Sequence, residues 1–247
     1  MNKTLMRLAL TAALALPGWA SAYVVGPTSP GKWGSPTPGT GATVTWSLMG
    51  SGVSCAAEYS GCATTALNSL LPTGFLTQIQ LAFEAWSSVA NINFVQVADD
   101  GAAFDLPTRS GDIRIGAHAM DGALGTLAYS YFPPLNGTSG AGDIFLDTAE
   151  SWTIGFDGPG YDIFQVMAHE IGHAIGLEHT SNTDSLMNAW YQERFRGPQA
   201  DDIEGVRHLY GVRAPEPVPE PASLLLFAAG LAGVAVTRRR GRSLVQG

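Results

Sequence analysis

Charge is scarce in this chain of 247 residues: Asp, Glu, Lys and Arg make up 14% of it. Basic residues are scarcer still, 13 Lys and Arg against 21 Asp and Glu, and only 7 of the 13 lie in residues 23–220, which hold every acidic one. That stretch therefore carries a formal charge of −14. Such an acidic surface excludes nucleic acid as a partner, because that binding runs on Lys and Arg contacts to phosphate. It suits divalent cations instead. Cysteine is nearly absent: Cys55 and Cys62 are the only two, and no Cys-x-x-Cys pair occurs, which removes thiolate zinc ligation from consideration. The pair forms either one disulfide closing a small loop, the reading an exported chain favours, or two free thiols. No apolar run reaches the roughly 20 residues that a stable membrane span needs. What is abundant is apolar residue content, 45%, enough for one domain with a substantial core and too much for a disordered chain.

The two ends of the chain read as addresses. Residues 1–22 begin with Lys3 and Arg7, continue through an apolar run over 8–16, break at Pro17-Gly18 and close on Ala20-Ser21-Ala22. That order of charge, apolar run and small-x-small site is a secretory signal, so the mature chain starts near Tyr23. At the other end, Val-Pro-Glu-Pro precedes an apolar segment over 222–236 and the cluster Arg238-Arg239-Arg240. This tail closely resembles the PEP-CTERM sorting signals of Gram-negative bacteria. The resemblance implies handling by exosortase-type sorting machinery, transient membrane association through the tail, and delivery to the cell surface or extracellular matrix.

Between the ends, residues 23–42 are rich in Pro and Gly and read as a loosely ordered leader. "ATVTWSLM", "INFVQV", "DIRIGA" and "GDIFLD" alternate as short strands. Phe75, Ile79, Ala82, Phe83, Trp86 and Val89 recur at helical spacing. A second helix opens at Asp162, a good N-cap with Gln165 three residues on, in the arrangement of a capping box. Its apolar stripe is Ile163, Val166, Met167, Ala174 and Ile175, and it carries His169, Glu170 and His173.

On a helix, residues four apart project from nearly the same side, so His169 and His173 can share one ion. Gly176 stands where the helix should end, and a glycine there can take the left-handed conformation that turns the chain back and brings in His179. Three protein ligands are the number found at catalytic rather than structural zinc sites. Glu170, beside the first ligand, is then placed to act as general base toward a zinc-activated water. A scaffold has no use for a glutamate at that position. His208 is an ordinary packing or surface residue.

The pattern His-Glu-x-x-His-x-x-Gly-x-x-His, followed by "SLM" with Met187 eight residues after His179, resembles the metzincin metalloproteases, and among them the matrixins. "LAFEAWSSVANINFVQV", "GDIRIGA" and "QADDIEGVRHLYG" resemble further segments of the same family, so that the likeness runs over roughly residues 43–211. It implies an α+β metzincin fold, a twisted, mixed, mostly parallel sheet with two long helices and a C-terminal helix. It also makes Met187 the Met-turn beneath the metal, and implies a structural Ca²⁺ held by Asp121, Asp147 and Glu150 with carbonyls near Gly122, Leu124 and Thr126. A second calcium would use Asp112, Asp143 and the loop over 136–142. The substrate, a protein or peptide, would add as a strand to an edge placed at residues 143–146.

Departures from the family pattern carry expectations too. Tyr129 and Phe145 stand where two histidines of a second, structural zinc would be, and the loop near His118 is short, so only one zinc is expected. Asn188-Ala189-Trp190-Tyr191 replaces the usual Pro-x-Tyr wall, and no inhibitory cysteine segment is present. The organisation is thus a signal peptide (1–22), a leader (23–42), a catalytic domain (43–213) and a sorting tail (214–247). The function is that of an exported zinc endopeptidase. The competing readings are a non-catalytic metal-binding surface or matrix protein, and a hydrolase of another bond using the same zinc.

Overall fold

The computed structural model describes residues 23–133 and 139–215. The expected signal peptide (1–22), the expected sorting tail from residue 216 onward, and Asn136, Gly137 and Thr138 of the 136–142 loop lie outside the described residues. In chain order the elements are β1 (Val24–Val25), β2 (Ala42–Leu48), α1 (Leu67–Leu70), α2 (Phe75–Val89), β3 (Ile92–Gln96), β4 (Ile113–His118), β5 (Ala128–Ser130), β6 (Ile144–Asp147), β7 (Trp152–Thr153), β8 (Tyr161–Asp162), α3 (Ile163–Ala174), β9 (Leu177–Glu178) and α4 (Ala200–Tyr210). Among the described residues no helix is long and apolar enough to cross a membrane.

Five strands form one sheet in the order β3-β2-β4-β6-β5. The first four run parallel, and β5 alone runs antiparallel, with Tyr129 opposite Phe145. Parallel strands need crossovers that cover the sheet, which is why β4 is buried along its whole length, Arg114 and His118 included. Side chains alternate between the two faces. Ile113, Ile115, Ile144 and Leu146 join the main core with Trp86 of α2 and Met167 and Ile171 of α3. Phe145, between Ile144 and Leu146, points the other way into a smaller cluster with Met49 and Val53. The two long helices are fastened together by the Trp86 indole N–H, which donates to the Ala168 carbonyl at 2.8 Å.

Two expectations need correction. Residues 143–146 are not the sheet edge, since β6 lies between β4 and β5 and is buried throughout. The edge on that side is β5, three half-buried residues in a glycine-rich stretch, too short to show alternation. Nor is the 23–42 stretch loose: β1 pairs antiparallel with β9, and Lys32 is buried with its ammonium donating to the carbonyls of Trp33 and Ser35. Composition missed this because most of the bonding groups involved belong to the backbone.

Candidate metal centre

Helix α3 starts where its sequence says it should, but half of the capping box is used differently. The Asp162 carboxylate accepts the Gln165 backbone N–H at 2.8 Å. Gln165 does not reach back; its side-chain oxygen accepts the Phe195 N–H at 3.1 Å and ties the helix to the chain following Met187. One turn on, His169 and His173 stand side by side with ring centroids 4.8 Å apart. His169 Nδ1 lies 2.8 Å from the Leu186 carbonyl and His173 Nδ1 2.7 Å from that of Leu177. A carbonyl can only accept, so both Nδ1 atoms carry the proton and both Nε2 lone pairs are free.

The turn after α3 returns His179 to the same spot. Gly176 has φ +109°, the positive region that a side chain disfavours, and the reversal brings His179 Nε2 to 3.1 Å from the Nε2 of each helical histidine. The three donor atoms lie within 4.8 Å of one another, and among the described residues no other trio of His, Cys, Asp or Glu is gathered in this way. Burial lowers the pKa of all three rings, and His173, which also feels His169 and His179, is lowered furthest. The imidazoles are thus held neutral, the state in which they bind a metal. The donor set of three nitrogens fits Zn²⁺.

Glu170 is 5% exposed and takes no part in that set. Burial pushes its carboxyl up to about 7, against the opposing pull of a hydrogen bond from Ser130 and the nearby His179. The Ser130 hydroxyl sits 2.8 Å from Glu170 Oε2 and 3.0 Å from the Glu170 carbonyl oxygen. Sequence reasoning overlooked Ser130, because a strand of three half-buried residues leaves no alternation to read. Leu124 and Trp190, exposed by 84% and 81%, line the same cleft, whose volume is about 660 Å³.

Met187 is a buried residue of the main core. It packs against Gly172, between the two helical histidines, so closely that a Cβ there would lie 2.3 Å from the Met187 sulfur. Asp202, in the first turn of α4, fixes this stretch: it accepts the backbone N–H groups of Leu186 and Met187 and the hydroxyl of Ser185. Asn188 holds the next turn, its amide donating to the carbonyls of Thr180 and Asn182. Tyr191 follows, with its hydroxyl oxygen accepting the Asp162 N–H at 2.9 Å. His208 packs against the Tyr23 ring at the surface.

The other candidate ligands are not gathered as the histidines are. Asp121 accepts the Thr126 N–H, and Glu150 accepts that of Gly125. Asp147 accepts N–H groups from Met120 and Ala149 through Oδ1, while its buried Oδ2 has no hydrogen-bond partner among the described residues. The three carboxylates thus flank one loop over 120–126 without converging on a point. Asp112 bonds Thr45 and Asp143 bonds the Arg114 N–H, in different places. His118 is buried, its Nδ1 on the Ala119 carbonyl and its Nε2 2.9 Å from the Tyr129 hydroxyl, with Phe145 against its ring. Cys55 and Cys62 form a disulfide, and the loop it closes carries Tyr59 over His118.

Residues 63–211 match the family model described as Matrixin. The chain belongs to the matrixin family. A second match, over residues 217–240, is to the PEP-CTERM protein-sorting motif. Human Matrix metalloproteinase-20 is 36% identical over 139 residues, 55% of this chain and 27% of that protein. Human Stromelysin-3 is 40% identical over 137 residues, 53% of this chain and 26% of that protein. Human Matrix metalloproteinase-17 is 38% identical over 154 residues, 58% and 25% respectively. This matrixin therefore spans about a quarter of the length of these relatives. Its mixed, mostly parallel sheet and its helices are the α+β metzincin arrangement.

Proposed function

We propose that this matrixin is an exported zinc-dependent endopeptidase, with His169, His173 and His179 as metal ligands and Glu170 as general base. The observation that carries the proposal is the pairing of three neutral imidazoles, which converge, with a buried glutamate that stands beside them and outside the ligand set. Zinc held there would supply a Lewis acid that polarises the scissile carbonyl and lowers the pKa of a water. Glu170 takes a proton from the attacking water and delivers it to the departing amine, its carboxylate steadied by Ser130. Strand β5 offers its free edge to an extended peptide, and Leu124 and Trp190 flank that peptide with apolar surface. The sorting motif supports delivery by exosortase-type machinery to the cell surface or matrix of a Gram-negative bacterium, with the tail touching the membrane in transit.

Calcium belongs to the same proposal. The carboxylates of Asp121, Asp147 and Glu150 and the carbonyls of the 120–126 loop are the oxygen donors Ca²⁺ prefers, and the partnerless Asp147 Oδ2 is the atom that asks for a cation.

The test of the mechanism is Glu170→Gln. It should keep its zinc by metal analysis while cleavage of unfolded casein drops by about 10² or more, the contribution typical of a general base. Undiminished cleavage would overturn the mechanism, and an unmodified chain that binds zinc but cleaves no peptide would favour a structural or adhesive role.

A further inference from the structure

Helix α3 ends at Ala174, and only five residues separate His173 from His179. The last carbonyls of a helix have no partner within it and must find donors elsewhere. Here many of those donors come from the far end of the chain. The Trp33 indole N–H donates to the Ala174 carbonyl at 2.7 Å, and the Gly26 N–H to that of Gly176 at 2.8 Å. Tyr210 donates its hydroxyl to the Ile175 carbonyl at 2.8 Å while accepting the Trp33 N–H at 3.0 Å. Then Val24 and Val25 pair with Glu178 and Leu177, the two residues leading directly into His179.

Contact is close along the whole segment. A Cβ on Gly176 would lie 2.1 Å from the Gly31 carbonyl oxygen, so the turn between ligands is shaped against the Gly31 backbone. A Cβ on Gly26 would meet the Phe132 ring at 2.5 Å, and Phe132 in turn packs edge-on against the His173 imidazole. Beyond Trp33 the segment is anchored by the buried Lys32, whose ammonium bonds the carbonyls of Trp33 and Ser35 and lies over the Tyr210 ring. Helix α3 itself orients His169 and His173. His179 sits on a turn with no long element of its own, and the groups that hold this turn in place come largely from residues 24–33.

We infer that residues 24–33 form a strap that sets the position of the third ligand, with Trp33 as its positioning residue, so that metal affinity is controlled from the N-terminal side of the body. This rests on reading the three histidines as a zinc site. Loss of the strap, for example by proteolytic trimming past Trp33, leaves two ligands on a helix and a third on an unsupported turn. Trimming there switches the site off without touching any ligand.

The experiment uses the chain with all other residues intact. Trp33→Phe keeps a ring in place and removes the N–H; Trp33→Ala removes both. Zinc affinity, measured by competition with a chromogenic chelator, should fall about tenfold or more in Trp33→Phe, as it does when a group orienting a ligand is lost. It should fall further in Trp33→Ala, toward the value of His179→Ala. The visible spectrum of the cobalt(II)-substituted protein should change in the same order, and amide exchange over residues 175–179 should quicken. Ile92→Val, in the core of the distant strand β3, controls for general loss of stability and should leave zinc affinity unchanged. Wild-type affinity and exchange in both Trp33 variants would overturn the strap alone, as would an equal loss in Ile92→Val. An unmodified chain that binds no zinc would overturn the zinc reading and the strap together.

Discussion

Ser130 shows how much one hydroxyl can decide. Its oxygen bridges the side chain and the carbonyl of Glu170, which holds the carboxylate in one orientation. A hydrogen bond to a charged group is worth about 1.5 kcal/mol or more, which corresponds to roughly tenfold in rate if it is lost from the reacting arrangement. Ser130→Ala should therefore lower kcat about tenfold on a peptide substrate, with KM and zinc content little changed, and Ser130→Thr should restore most of it. An unaltered kcat would make the hydroxyl a bystander. Residues such as Glu170 and the histidines were legible in the sequence because their spacing falls within one helix and the turn after it. Ser130 was not, because its partner lies 40 positions away, and the bond appears only once β5 is laid against α3. Gly172 is a third case: as an unspecified position of the zinc pattern it carries no message, yet the Met187 sulfur occupies the space of its missing side chain.

At the scale of elements, the long helices and the strands of four residues or more were legible, and the strands of two or three residues were not. Helix α2 and helix α3 show an apolar stripe over 15 and 12 residues, long enough for periodicity to stand out. Strands β1, β5 and β9 have two or three residues each and are defined by what they pair with. The edge that a peptide would use, and the strap that frames the metal turn, are built from such strands. The loop over 120–126 between β4 and β5 makes a testable case. If Ca²⁺ bridges Asp121, Asp147 and Glu150, saturating calcium should stabilise the fold by about 3 kcal/mol at a hundredfold excess over Kd, which raises Tm by about 5 °C or more. Scanning calorimetry with calcium and with EGTA measures that difference, and Asp147→Asn should remove it. Identical melting in both conditions for the unmodified chain would dismiss the ion.

For the whole molecule, the main electrostatic risk is the excess of acid, and one buried pair stands against it. Arg114, 1% exposed in the central strand, meets Asp99 at 2.8 Å and bonds it through two nitrogens. Burial alone would raise the Asp99 carboxyl, but hydrogen bonds from Arg114, Gly101 and Ser47 outweigh it and hold the group below its usual 3.8. A carboxyl with a depressed folded pKa stabilises the fold above its unfolded value, and that contribution disappears as pH falls through the folded one. Asp99→Asn leaves a buried guanidinium without its counter-charge, which costs about 3 kcal/mol. Urea titrations at pH 7 should show that loss, and the gap between variant and parent should narrow below about pH 4. A gap independent of pH would mean that Asp99 acts by packing alone.

Contacts between the strap and the end of α3 have a consequence for the order in which the protein matures. Trp33 and its acceptor Ala174 are separated by 141 positions, and Trp33 and Tyr210 by 177. A polypeptide part-way through a membrane therefore has its strap on one side and its histidines on the other, and the frame cannot yet close around them. If the chain is the exported peptidase proposed above and the strap acts as inferred, hydrolytic competence would arise only once the first and last parts of the body have met, on the far side of the membrane, and the proteins of the cell that made it would be spared.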